Sequence, residues 1–318
     1  MKPYIIGVGR RGAEIVQKQL RTGLADTVVL FADTDADDLE LRPEESRLRL
    51  GASIPPGEVI RNTISFSYDA AMQDRDAIKS RLSGAGIVIL VAGLGGGTGP
   101  GGSEAIARMC EELGIPVVAF VTKPFRIEGE SRLNRGRIGF RKVYNAASLI
   151  VSFPQDVIIP YSQRITRVRE LIDIVDEFVV AGIQACVETA ADESAETALR
   201  SLIAASPEGV FGYGLSDNPD GMDEALTFAL ESPFIKSISL SRAKGLAVTV
   251  RGSKSPDGQS LRSDVGRIVD QKCPEAKVII RQTTDHRIDG LQISLLLTGE
   301  FGESIPLPMD SFTPVYEG

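Results

Sequence analysis

The stretch Gly93-Leu94-Gly95-Gly96-Gly97-Thr98-Gly99 contains five glycines in seven residues. It follows an apolar run at 87–91 that predicts a buried strand, and it leads into helical spacing at 103–113. Each glycine in regular structure costs about 0.5–1 kcal/mol relative to alanine, so a simple flexible turn, the alternative, does not explain five of them. The stretch lacks the lysine of a P-loop. A bound phosphate would therefore be held by backbone N–H groups, by Thr98 and by the helix dipole.

Apolar runs alternate with helical segments through the first half of the chain. Strands are predicted at 5–8, 28–31, 87–91, 117–121 and 149–151, and a helix is predicted at 12–20. This alternation is typical of a parallel sheet that is covered by helices on both faces. Ligands of such sheets lie at the carboxyl ends of the strands.

A long helical pattern at 165–190 separates this half from a second α/β segment. There a helix is expected at 222–230 and strands are expected near Val210 and at 246–250, 278–280 and 293–297. We therefore predict a Rossmann-like parallel-sheet nucleotide-binding domain (1–163), a connecting helix (164–190) and a smaller α/β domain with a mixed sheet (191–318). The stretch after Phe301 is expected to be extended.

Composition excludes several classes of function. The 318 residues carry a net charge of −8, which argues against charge-driven binding to nucleic acid or to anionic membranes. No apolar run approaches the roughly 20 residues of a membrane span. Three widely spaced cysteines predict a reducing, cytoplasmic location. His286 is the only histidine and is expected in an exposed turn, so we expect neither histidine-based catalysis nor a metal site.

A second glycine loop, Gly7-Val8-Gly9-Arg10-Arg11-Gly12, matches the G-x-G-x-x-G pattern of dinucleotide-binding proteins. Asp33 or Asp35 stands where such a protein places its ribose-binding acid. Arg10 and Arg11 either bond to phosphate oxygens or are two solvated arginines on a turn. An NAD-dependent oxidoreductase is thus one alternative, although it leaves the 93–99 loop unexplained.

Gly95-Gly96-Gly97-Thr98-Gly99 resembles the GGGTG signature of the tubulin/FtsZ superfamily. The resemblance extends to Val121-Thr122-Lys123-Pro124-Phe125 with Glu128 and Arg132, and to Phe153-Pro154-Gln155-Asp156. It implies that GTP or GDP binds here, with Mg²⁺ held through the phosphates. The residues it assigns to the nucleotide are Gly9, Arg10, Arg11, Gly12, Glu14, Gly95, Gly96, Gly97, Thr98, Gly99, Glu128, Arg132, Gln155 and Asp173. Asp173 would accept two hydrogen bonds from the guanine edge.

The sequence also departs from the family pattern. Glu14 replaces a base-contacting asparagine, and Glu193, Ala195 and Ala198 fall where FtsZ carries the polar positions of its catalytic loop. No catalytic residue is certain. The candidates Asp192, Glu193 and Glu196 have two interpretations. They either replace the catalytic carboxylates that the family carries, or they form the acidic first turn of a helix. We favour the helix turn.

We therefore expect a guanine-nucleotide-binding FtsZ/tubulin-like protein that assembles head to tail, with itself or with another FtsZ-like protein, and hydrolyses GTP weakly or not at all. Two alternatives stay open. One is a nucleotide sensor that does not polymerise, and the other is an accessory subunit that caps a true GTPase.

Overall fold

The computed structural model describes residues 2–21, 23, 26–54, 63–161, 167–190, 193–254 and 258–301; of residues 193–196 and 198 it describes only the backbone. The strands are β1 Pro3–Val8, β2 Val28–Asp33, β3 Arg47–Arg49, β4 Ile87–Gly93, β5 Val117–Lys123, β6 Leu149–Pro154, β7 Glu208–Ser216, β8 Ala243–Gly252, β9 Lys277–Thr284 and β10 Leu291–Gly299. The helices are α1 Gly9–Leu20, α2 Ala36–Glu40, α3 Ile64–Gln73, α4 Arg75–Leu82, α5 Thr98–Glu112, α6 Glu130–Tyr144, α7 Val168–Thr189, α8 Glu193–Ala205, α9 Met222–Leu230, α10 Pro233–Lys236 and α11 Gly258–Lys272.

All ten strands form one sheet in the order β3-β2-β1-β4-β5-β6-β7-β10-β8-β9. Neighbours from β3 to β7 are parallel, whereas β10 runs antiparallel to both β7 and β8. The two halves join where β6 pairs with β7 at Ile150 opposite Glu208 and at Val151 opposite Gly209. The predicted α/β class with a parallel first half and a mixed second half is confirmed, and the division at 163 and 190 stays a prediction.

The central strands are apolar on both faces because helices cover both faces. In β4, Ile89 and Val91 pack with α1 and α7 on one side, while Val88 and Leu90 pack with α5 on the other. A third cluster lies between the β7–β10 sheet and helices α9 and α11. These cores fix the carboxyl ends of β1, β4 and β5 at one edge of the sheet.

The predicted helices begin and end close to the observed ones. The helices predicted at 12–20 and 103–113 begin earlier, at Gly9 and Thr98, and the long helix is Val168–Thr189. His286 lies exposed in the turn between β9 and β10, as expected, and the three cysteines are buried and unpaired. The expected extended stretch after Phe301 lies outside the described residues. Within the described part of the chain, no helix is long and apolar enough to cross a membrane.

Candidate nucleotide-binding site

The glycine loop connects the end of β4 at Gly93 with the start of α5 at Thr98. The loop is anchored, because the Leu94 side chain is fully buried and its backbone N–H donates to the Thr122 carbonyl over 3.0 Å. This anchoring argues against a flexible turn. The first turn of α5 carries no acidic residue. The partial positive charge at its N-terminus is therefore not offset by a carboxylate of the same turn, which suits an anion.

Two of the glycines are required by close packing. A Cβ at Gly99 would lie 2.2 Å from the Gly93 carbonyl oxygen, and one at Gly12 would lie 2.1 Å from the Val91 carbonyl oxygen. Gly9 has a φ of 71°, in the left-handed region, and a Cβ there would lie 3.1 Å from the Gly99 backbone nitrogen. The two glycine loops therefore touch each other, and their backbones form one surface.

Gly95 is different, because nothing in the fold requires a glycine at this position. A Cβ there would make ordinary contacts, 3.4 Å from Pro124 and 3.9 Å from Arg132 Cδ, and its φ is not in the left-handed region. Gly95 and Gly96 are half-buried. A ligand lying close to the backbone accounts for such a glycine, whereas packing does not.

Polar side chains surround this surface. The hydroxyls of Thr98 and Thr34 are 3.1 Å apart. Asp33, at the end of β2, is 6% exposed and accepts a hydrogen bond from the Asp35 backbone N–H. Burial raises the pKa of the Asp33 carboxyl above its ordinary value. Asp33 is thus part of the framework that supports Thr34, rather than an exposed ribose ligand.

The β5–α6 connection brings Glu128 and Arg132 together beside the loop. Glu128 accepts from the Phe125 backbone N–H over 2.8 Å and from Arg132 Nη1 over 2.6 Å. Arg132 is more than half exposed, so its guanidinium can reach a bound anion. Gln155 donates from Nε2 to the Lys123 carbonyl over 2.9 Å, while its buried Oε1 has no hydrogen-bond partner among the described residues. Gln155 therefore ties β6 to β5 and leaves one acceptor oxygen for another donor.

The predicted residues Arg11, Glu14 and Asp173 lie in an ion cluster between α1 and α7, together with Lys18 and Asp176. Lys18 Nζ lies 2.5 Å from Asp173 Oδ1 and 2.6 Å from Asp176 Oδ2, and Arg11 Nη1 donates to Asp176 over 3.1 Å. Asp176 is fully buried, whereas the Asp173 side chain is 47% exposed. The hydrogen bond from Lys18 holds the pKa of Asp173 below its ordinary value. Glu14 lies 3.6 Å from Arg11 at the border of this cluster.

Most of the predicted site residues fall into two adjacent groups, while Glu128 bonds to Arg132 beside the first group and Gln155 bonds to the end of β5. Gly9, Gly12, Thr98, Arg132 and the 95–99 backbone form the surface suited to phosphate, and Arg11, Glu14 and Asp173 lie on α1 and α7. Arg10 instead contacts Asp38, with 2.9 Å between Nε and Oδ2.

Lys18, Asp176 and Thr34 were not predicted from the sequence. The signal for the first two is helical spacing, because Lys18 follows Arg11 by seven residues and Asp176 follows Asp173 by three, which places each pair on one helix face.

The candidate catalytic segment is only partly described. Asp192 lies outside the described residues, and the helix α8 begins at Glu193. This start agrees with the interpretation of Glu193 and Glu196 as the acidic first turn of a helix. Within the part of the chain that the structure describes, no group of three His, Cys, Asp or Glu side chains is arranged to hold a metal ion.

Comparison with known proteins confirms the resemblance to the tubulin/FtsZ superfamily. Residues 3–163, half of the chain, match the family model "Tubulin/FtsZ family, GTPase domain". The cell division protein FtsZ of Caulobacter vibrioides is 27% identical over 312 residues; the match covers 96% of this chain and 61% of that protein, so the chain spans about three fifths of its relative's length.

Two solved structures share the fold. An empty FtsZ dimer from M. jannaschii has a TM-score of 0.85 at 22% identity, covering 94% of this chain and 88% of that one. The GDP-bound monomer of CetZ1 from Haloferax volcanii has a TM-score of 0.77 at 20% identity, covering 94% of each chain. The chain belongs to the tubulin/FtsZ family, whose GTPase-domain model matches residues 3–163.

Proposed function

We propose that this protein binds GTP or GDP with the phosphates over residues 95–99 and the base beside α1 and α7. The observation that carries the proposal is Gly95, a glycine that neither packing nor backbone conformation requires. It stands three residues before helix α5, whose first turn carries no acidic residue. Backbone N–H groups, the Thr98 hydroxyl and the Arg132 guanidinium supply the donors, and Mg²⁺ would be held through the phosphates.

In this proposal Asp173 reads the guanine edge. Its carboxylate is half-exposed, so a base can reach it, whereas Asp176 is fully buried and already bonded to Arg11 and Lys18. The ion pair between Lys18 and Asp173 has to break when guanine N1 and N2 donate hydrogen bonds to the Asp173 carboxylate. The exposed Lys18–Asp173 pair is worth no more than about 1 kcal/mol, so this exchange is energetically accessible.

The test is a comparison of GTP and ATP binding in Asp173→Asn. Loss of a charged hydrogen-bond acceptor, about 1.5–3 kcal/mol, should weaken GTP binding by roughly tenfold or more. Binding of ATP should not change. Asp223→Asn, an exposed carboxylate on α9, is the matched control. An unchanged GTP affinity in Asp173→Asn contradicts this assignment of the base-reading residue.

We further propose that the protein assembles head to tail, pairing its nucleotide face with the segment at 192–198 of the next copy or of another FtsZ-like protein. A heterologous contact of this kind does not close, so filaments follow. The M. jannaschii relative forms a dimer, which supports self-association. Sedimentation with GTP and Mg²⁺ tests the proposal, and a strictly monomeric species at high concentration favours the nucleotide sensor instead.

Hydrolysis by the isolated protein should be slow or absent. Ala195 and Ala198 occupy the positions where the resemblance places carboxylates, and a methyl group cannot orient a water molecule. Loss of a positioned acid–base group costs about 10²–10⁴ in rate. Robust turnover that is lost in Glu193→Gln or Glu196→Gln would instead show a replacement acid. Turnover that appears only with a second FtsZ-like protein would identify this chain as an accessory subunit.

A further inference from the structure

A large groove lies on the sheet face opposite α1 and α7, between α6 and the second half of the chain. Its volume is about 610 Å³, within the range of ligand-binding cavities, which is roughly 300–1,000 Å³. Its walls include the apolar side chains Leu133, Phe140, Phe234 and Ile238, and β6 and β7 contribute its floor through Ser152 and Val210. None of these residues belongs to the candidate nucleotide site.

The groove is bordered by the most basic helix of an acidic protein. Helix α6 carries five basic residues and one acidic residue, a net charge of +4, whereas the whole chain carries −8. Arg126, Arg137 and Arg141 line the groove and are exposed. The Lys123 ammonium lies 3.9 Å from the centre of the Phe140 ring.

Three acidic residues, Glu130, Asp156 and Glu208, line the groove beside the basic ones. Asp156 accepts from the Arg126 backbone N–H over 3.2 Å, and Glu130 lies 3.9 Å from Arg137. Within the described ranges, Arg141 has no ion pair with a carboxylate side chain. The rim therefore offers cationic groups to an anionic, partly apolar ligand.

The chain itself supplies such a ligand at this place. Phe301 lines the groove, and residues 302–318 follow it directly. These 17 residues contain three carboxylates, Glu303, Asp310 and Glu317, and no basic residue. Between the carboxylates stand apolar side chains, which are Ile305, Leu307, Met309, Phe312, Val315 and Tyr316.

We propose that residues 302–312 of the same chain dock in this groove, with the apolar side chains against Phe140 and Phe234 and the carboxylates facing Arg137 and Arg141. Three features support this occupant: the covalent entry point at Phe301, the charge complementarity and the apolar walls. Tethering gives the segment a high local concentration at the groove, so modest contacts are enough to hold it. The docked segment bridges α6 with the second half of the chain, independently of nucleotide binding.

The test uses the full chain with Ser311→Cys, labelled with a benzophenone maleimide and then irradiated. The three native cysteines are buried, so the label goes to the new residue. We expect intramolecular cross-links to 124–141 or 234–238. Arg137→Ala with Arg141→Ala should lower their yield by about fivefold, because two exposed ion pairs are lost. The matched control, Arg262→Ala with Arg267→Ala on α11, removes the same charge away from the groove and should leave the yield unchanged.

A second variant keeps the test independent of α6. Glu303→Lys with Asp310→Lys changes only the docking segment and should lower the yield similarly. Cross-links between copies would overturn the intrachain assignment and make a second copy the occupant. Cross-links elsewhere, no cross-links, or a yield that is insensitive to both charge variants would overturn the proposal.

Discussion

Replacing Gly95 by alanine tests whether this glycine is needed for nucleotide binding or for folding. The new Cβ would lie 3.4 Å from Pro124, an ordinary contact, and the backbone does not need a positive φ. Replacement of glycine by alanine at a compatible position stabilises by about 0.4–1 kcal/mol through the unfolded chain. We therefore expect Gly95→Ala to unfold at an equal or slightly higher denaturant concentration than the parent protein.

Nucleotide binding, in contrast, should be weaker in Gly95→Ala than in the parent protein. A methyl group on the surface at 95–99 obstructs a phosphate that lies close to the backbone, and a lost charge-assisted hydrogen bond is worth about 1.5–3 kcal/mol, or at least tenfold in Kd. Calorimetric titration with GTP measures the change.

Gly99→Ala is the matched comparison for this variant. Its Cβ would lie 2.2 Å from the Gly93 carbonyl oxygen, so strand β4 or helix α5 has to move. We expect a loss of about 1–3 kcal/mol of stability. Unchanged GTP affinity in Gly95→Ala would refute the phosphate assignment, and a large loss of stability there would show that the glycine serves the fold.

Three further results are expected. Asp176→Asn leaves Arg11 and Lys18 without their buried carboxylate. It should lower the free energy of unfolding in urea by about 2 kcal/mol, which is less than the 3–5 kcal/mol of a fully buried pair because both cations reach solvent. A loss no larger than that of Asp173→Asn would contradict this. Burial raises the pKa of the Cys110 and Cys186 thiols to about 12, so neither should react with a thiol reagent at pH 8 in the native state, and rapid labelling would contradict the packing. The hydrogen bond from Arg287, together with Arg251, lowers the pKa of Asp285. A carboxyl group with a lowered pKa stabilises the folded state at pH values above its unfolded pKa of about 3.9. The difference in unfolding free energy between the parent protein and Asp285→Asn should therefore be constant near neutral pH and shrink below about pH 4, and a difference that grows in acid would refute this.

Buried parallel strands could be predicted from the sequence because their apolar runs are continuous. The run at 87–91 is buried on both faces, and it stands out without any knowledge of its partners. The helix α9 was predicted with its observed ends for a similar reason. Helices α4 and α6 gave weaker signals, because α4 buries only Ile78 and Leu82 and α6 is rich in arginine.

The residues of the candidate site also include some that the sequence predicts and some that it does not. The glycine loops are local patterns, so the sequence predicts them directly, and the structure shows that they touch at Gly9 and Gly99. The cluster of Lys18 with Asp173 and Asp176 joins side chains that are more than 150 positions apart. Helical spacing places Lys18 on one face with Arg11 and Asp176 on one face with Asp173, but it does not show which faces meet. Only the packing of α1 on α7 reveals the pairing.

If the site selects a guanine nucleotide, thermal unfolding in the presence of GTP, ATP or NAD should show it. At a GTP concentration of about 100 times the Kd, a ligand that binds only the folded state should stabilise the protein by about 2.7 kcal/mol. We expect a clear upward shift of Tm with GTP or GDP and little or none with ATP or NAD at the same concentration. Equal shifts with ATP, or a shift with NAD alone, would contradict it.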